Sequence, residues 1–141
     1  FVFQKNKMRK LVFLLGDVHF YGFTDDPWNY TTYPITRFLS ETGVQSFPSL
    51  DTWQEATNKQ SDFNFNSSFV QHREHSTNRL NQLWSYIELN LPSPATKDPL
   101  LRFSQFIYLS QIHQSITLKS ISDLCRLSSS KDKINPKTSE G

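Results

Sequence analysis

Apolar positions along the chain occur in short clusters between polar loops, and the spacing within each cluster predicts its element. Leu11 to Leu15 is a continuous apolar run that follows Lys5, Lys7, Arg9 and Lys10. Such a run suits a buried strand or a targeting segment; its length favours the strand and is far too short to span a membrane. After a loop from Gly16 to about Pro34 comes a second strand-like run, Ile35 to Leu39, which leads to Glu41 and ends before Gly43 and Pro48.

Helical spacing begins at Ser49, a candidate N-cap, with Leu50 and Trp53 three apart on one face of a short helix that ends near Thr57. Residues 58 to 68 are polar around Phe63 and Phe65 and read as a surface loop. Leu80, Leu83, Trp84, Ile87 and Leu91 then share one face, predicting a helix from about Thr77 to Asn90 that Pro92 and Pro94 stop. Asp98-Pro99 predicts a helix start, because Asp accepts free N–H groups of the first turn and Pro is tolerated at its first position. Phe103, Phe106, Ile107, Ile112, Ile116 and Leu124 extend that helix as a long amphipathic one. The Ser/Lys-rich stretch from Ser128 to Gly141, with Pro136, reads as a disordered tail. The chain thus divides into an atypical segment 1–15, a main segment 16–127 and a tail 128–141. Alternating strands and helices predict a partial α/β architecture.

Composition narrows the partners. The 141 residues are 36% hydrophobic and 14% aromatic, enough for one modest core. A formal net charge of +2, from 15 basic and 13 acidic residues, gives no strong field for a polyanion, so no nucleic-acid partner is expected. No membrane partner is expected either. Cys125 is the sole cysteine, which excludes an intramolecular disulfide. Asn29-Tyr30-Thr31 and Asn66-Ser67-Ser68 are sequons that permit glycosylation in a secretory compartment. His72 and His75 lack a third ligand at a recognisable spacing, so no metal and no cofactor are expected. They read as polar surface, as does His113 within the long helix, whereas Trp53 and Trp84 read as core. Taken alone, Glu41 points only weakly to catalysis, because most glutamates at strand ends are solvated.

The stretches Gly16-Asp17-Val18-His19-Phe20-Tyr21, Thr24-Asp25-Asp26-Pro27-Trp28-Asn29, Arg37 to Ser49 and Asp98-Pro99-Leu100 with Phe106 to Leu109 carry a specific likeness. Over residues 16 to 127 the chain resembles the β-mannosidases of the retaining glycoside hydrolases in family 2. The resemblance implies a partial (β/α)8 TIM barrel, about strands 6 and 7 with their following helices and not a complete domain, since a whole barrel takes about 250 residues. It places Glu41 at the position of the catalytic nucleophile. It places Asp17, His19, Tyr21, Trp28 and Arg37 as substrate-binding neighbours. His19 and Arg37 are candidates to keep the nucleophile ionised and oriented, with the face of Arg37 left open, and Tyr21 and Trp28 can wall a sugar ring. Gln45-Ser46-Phe47-Pro48 favours the mannosidase branch of that family.

A retaining glycosidase also needs a second carboxyl group, about 5 to 5.5 Å from the first, to protonate the leaving oxygen. In this family it is the Glu of an Asn-Glu pair, and the chain contains no Asn-Glu dipeptide. The expected partners are a β-mannoside oligosaccharide and the remainder of the catalytic domain, with a lysosomal location implied by animal members. Little or no activity is expected of this chain alone. The rival readings are a non-catalytic carbohydrate-binding remnant and a nonfunctional truncated product.

Overall fold

In a computed structural model, the described residues are 17–22, 25–34, 36, 38–75 and 78–134. The strand expected at Leu11–Leu15, and Ile35 and Arg37 before Glu41, lie outside them. The described chain forms two compact units, one from residues within 1–44 and from 116 onward, the other from 45–115.

The first unit holds a two-stranded parallel sheet, β1 (Val18–Phe20) and β2 (Leu39–Thr42). Glu41 therefore lies inside a paired strand, whereas the sequence reading ended the strand at Leu39. The Val18 N–H donates to the Phe38 carbonyl at 3.0 Å, and the register pairs Val18 with Leu39, His19 with Glu41 and Phe20 with Thr42, with an irregularity between Val18 and His19. Alternation along β1 leaves His19 exposed and Val18 and Phe20 half-buried. Phe20 meets the buried Tyr33 edge-on, at 5.5 Å between ring centres. The Tyr33 hydroxyl ties down the loop by donating to the Pro27 carbonyl at 2.7 Å. A Cβ on Gly22 would lie 3.0 Å from the Phe20 ring, so a larger residue there needs that ring to give by a few tenths of an ångström.

The second unit is helical. It contains α1 (Leu50–Ala56), α2 (Ser68–Glu74), α3 (Arg79–Asn90) and, up to residue 115, the long α4 (Pro99–Ile134). The caps follow the sequence. The Ser49 hydroxyl accepts from the Thr52 N–H, and the Asp98 carboxylate accepts from the Leu101 N–H at 2.9 Å. The α4 backbone stays helical to Ile134, past Ser128, where the sequence reading began its tail; residues 135–141 lie outside the described residues.

Residues 58–68 differ from the expected surface loop. A short 3-10 turn, Gln60–Asp62, and the bonds from Thr57 Oγ1 to Asp62 Oδ2 (2.6 Å) and Ser67 Oγ to the Asp62 carbonyl (2.8 Å) satisfy the polar groups locally. Phe63 can then be buried, and Phe65 packs against the core. Helix α2 was also not expected. Its signal is short, a Ser67 cap accepting from the Val70 N–H at 3.2 Å and only seven helical residues. His75, at φ 48°, and Asn78, at φ 69°, then adopt left-handed backbone and turn the chain into α3.

The core joins Phe47, Trp53, Phe63, Val70, Leu83, Ile87, Phe103, Phe106 and Ile107, with Leu80, Trp84 and Leu91 packed against it. The α3 face read from sequence is thus the buried one. Trp84 stacks on Phe106 at 4.6 Å. His113 is fully buried and stacks parallel to Tyr86 at 5.6 Å, which corrects its reading as a surface residue.

Polar side chains of α4 also hold the segment that follows β2. The buried Ser110 hydroxyl accepts from the Phe47 N–H at 3.0 Å and donates to the Ile107 carbonyl at 2.7 Å. Gln111 donates to the Phe47 carbonyl at 3.0 Å, and Ser46 donates to Gln114 at 2.8 Å. Ser110→Ala strands the Phe47 N–H without its acceptor and should cost about 1 to 3 kcal/mol, measured by urea unfolding.

An open hollow of about 290 Å³ in this unit is lined by Gln45, Pro48, Trp53, Arg73 and Glu74, among others. Burial pushes the Glu74 carboxyl above its ordinary value, against the opposing pull of the Leu80 N–H, the Gln45 side chain and the Arg79 charge. A raised folded-state value means that the folded chain holds this proton more tightly than the unfolded chain. Glu74 therefore contributes stability at acidic pH, and that contribution is lost as the pH rises through its folded value. Glu74→Gln should flatten the rise in stability on acidification and raise the melting temperature at neutral pH, as calorimetry at several pH values would show.

Candidate active site

The sheet of the first unit brings four of the sequence-identified residues together. His19 and Glu41 are register partners on neighbouring strands, so their side chains emerge on one face. His19 Nδ1 lies 3.4 Å from Glu41 Oε2. Tyr21, two residues along and on the same side by strand alternation, donates its hydroxyl to the same Oε2 at 3.2 Å. Asp17 lies on the other side of the ring, its Oδ2 3.6 Å from His19 Nε2. The imidazole thus sits between two carboxylates, one facing each ring nitrogen. Only the imidazolium carries a proton on both nitrogens, so only that form can donate in both directions at once.

The site is open to solvent. The side chains of His19, Glu41 and Asp17 are 56%, 52% and 48% exposed. Salt should therefore screen the attraction between them. Asp17 is the most firmly tethered of the three. Ser40 donates from its hydroxyl to Asp17 Oδ2 at 2.8 Å and from its backbone N–H to Oδ1 at 3.2 Å. The Ser40 hydroxyl is the main reason that the Asp17 carboxyl is held below its ordinary value, with the Ser40 N–H and the His19 charge adding to it. The Tyr21 phenol is pushed up from its usual value, first by desolvation and then by the Glu41 charge and hydrogen bond.

The other sequence candidates are placed differently. Trp28 is half-buried in a turn, with its backbone N–H bonded to Asp26 Oδ1 at 2.9 Å. Arg37 lies outside the described residues. Asn29 and Asn66 are both exposed, and Asn29 Oδ1 accepts from the Thr31 N–H at 3.0 Å and the Thr31 hydroxyl at 2.8 Å. The His72 and His75 rings are 5.3 Å apart, but among the described residues no group of three or more potential ligands gathers for a metal. No helix among the described residues is long and apolar enough to cross a membrane. Ser40 is the member of the cluster that sequence reasoning missed. Its one signal was its place next to Glu41, which does not reveal that it reaches across to β1.

Comparison with known proteins finds relatives of this chain. No family model matches the chain. It is 40% identical over 115 residues to the β-mannosidase of Bos taurus, a stretch that covers 82% of this chain and 13% of that protein. It is 39% identical over 113 residues to the β-mannosidase of Capra hircus, covering 80% and 13%. A fungal relative, β-mannosidase A of Aspergillus clavatus, is 32% identical over 120 residues, covering 74% and 13%. The chain therefore spans about an eighth of the length of the curated relatives that it matches.

Proposed function

We propose, from the chain's homology to one stretch of the β-mannosidases, that it carries the nucleophile half of a retaining β-mannosidase site. The substrate class is terminal, non-reducing β-D-mannosides. Glu41 is the nucleophile in this reading, and the observation that carries it is the convergence of Tyr21 and His19 on Glu41 Oε2 from the neighbouring strand. A carboxylate that attacks an anomeric carbon must stay ionised and aimed. A donated phenol hydrogen bond and an adjacent imidazole serve both needs.

In the double displacement, a Glu41 carboxylate oxygen bonds to the anomeric carbon as the glycosidic bond breaks. Water then releases the sugar from the resulting ester. Protonation of the leaving oxygen and later activation of the water belong to a second carboxyl group, which in this reading comes from outside the 141 residues. General acid–base help is typically worth about 10²- to 10⁴-fold, so the isolated chain should have little or no turnover. The barrel architecture of family 2, with β1 and β2 as neighbouring strands, and the lysosomal setting belong to the same proposal.

The test uses an aryl β-mannoside. The chain alone should release no aryl alcohol above background, whereas a hybrid β-mannosidase carrying residues 17–127 in place of the matched stretch should release it. A folded hybrid that binds mannoside without hydrolysing it would favour a non-catalytic binding remnant.

A further inference from the structure

The Ser40 hydroxyl reaches across the strand pair to Asp17, at 2.8 Å, and Asp17 in turn faces the far nitrogen of the imidazole that touches Glu41. We infer that Ser40 is a positioning residue, whose hydroxyl fixes Asp17 so that Asp17 and Glu41 hold the His19 ring between them. This inference rests on the reading of Glu41 as the nucleophile and adds to it the residue that precedes Glu41 on β2. Ser40 lies at the register irregularity, between Leu39, which pairs with Val18, and Glu41, which pairs with His19, so it is left without a register partner on β1. It acts through the carboxylate that precedes Val18.

Three observations support the role. Asp17 receives two donors from one residue, the Ser40 hydroxyl and the Ser40 N–H, which fixes the plane of its carboxylate in the way that bidentate recognition does. That grip also favours the ionised carboxylate, the form able to accept from an imidazole N–H. Finally, the His19 side chain is more than half exposed, and the two carboxylates flank its ring nitrogens at 3.4 and 3.6 Å. Removing the hydroxyl leaves Asp17 with backbone donors alone, the Ser40 and Val18 N–H groups. The Nε2 side of the ring is then released while the Nδ1 side keeps Glu41.

The whole chain, labelled with ¹⁵N, allows a direct test that does not depend on turnover. Its four histidines give separate ring-nitrogen signals in long-range ¹H–¹⁵N spectra at constant pH. Ser40→Ala should shift the His19 ring-nitrogen signals and leave those of His72, His75 and His113 in place. Ser40→Thr, which keeps the hydroxyl, should restore them. An unmoved His19 in Ser40→Ala, or a Ser40→Thr spectrum that matches Ser40→Ala, would overturn the inference. If Ser40→Ala unpairs the strands, the pair Ser40→Thr and Ser40→Val decides the question, since both are β-branched strand formers and they differ in the hydroxyl. Equal His19 signals in that pair also overturn it. The two readings fail separately, because an inactive hybrid removes the nucleophile assignment and leaves this spectrum as it is.

Discussion

Glu41→Gln should abolish aryl β-mannoside hydrolysis by the hybrid enzyme, lowering kcat by roughly 10⁴-fold or more, the scale on which enzymes lose rate with their nucleophile. Gln matches the shape of Glu and can still accept the Tyr21 hydrogen bond through its amide oxygen. Its uncharged amide cannot form the glycosyl ester. Because Glu41 is half exposed, the change should leave the fold intact, and an unchanged circular dichroism melt is the control. A fluoro-mannoside inactivator provides the matching chemical readout. Mass spectrometry should find one sugar on the peptide containing Glu41 in the parent hybrid and none in the variant. Labelling at another carboxylate would remove Glu41 from its assigned role.

Phe103→Ala should be the most damaging single change to the fold, costing about 3 to 5 kcal/mol, the usual range for truncating a buried aromatic. Phe103 has no exposed surface, and its ring packs against Phe65 at 5.3 Å, Trp53 at 5.5 Å, and Phe47 and Phe63 at 6.1 Å. Its neighbours come from α1 and from the loop segments around it, so no single element can close the void. Domains are stable by only about 5 to 15 kcal/mol, so the loss would be a large part of the total. Urea unfolding monitored by tryptophan fluorescence measures it. Leu101→Ala, two residues away and half exposed, should change stability by less than about 0.5 kcal/mol.

The fate of particular residues shows why some of this was legible in the sequence and some was not. Local rules succeeded at Ser49 and Asp98, where a cap is a contact between neighbours in sequence and therefore written in the order of residues. The face from Leu80 to Leu91 was equally legible, because helical periodicity alone puts those side chains on one side. Phe63 and Phe65 were misread as surface, because their burial depends on bonds among Thr57, Asp62 and Ser67 that free the loop to turn inward. His113 was misread because its position on α4 does not reveal the Tyr86 ring supplied by α3. The Gln45 to Pro48 stretch was read as a family marker. Only the fold shows that α4 takes both backbone groups of Phe47.

The candidate site divides in the same way. By itself, the sequence determined a likeness to the β-mannosidases, because stretches such as Arg37 to Ser49 need no coordinates to be compared. It also determined helix starts and the buried helical face, which depend on spacing along one chain. Only the tertiary structure decided that His19 stands opposite Glu41, that Tyr21 shares the same carboxylate oxygen, and that Ser40 grips Asp17. These contacts join residues 20 or more positions apart. The register of two parallel strands sets which side chains meet, and a shift of one residue would turn every one of them to the opposite face.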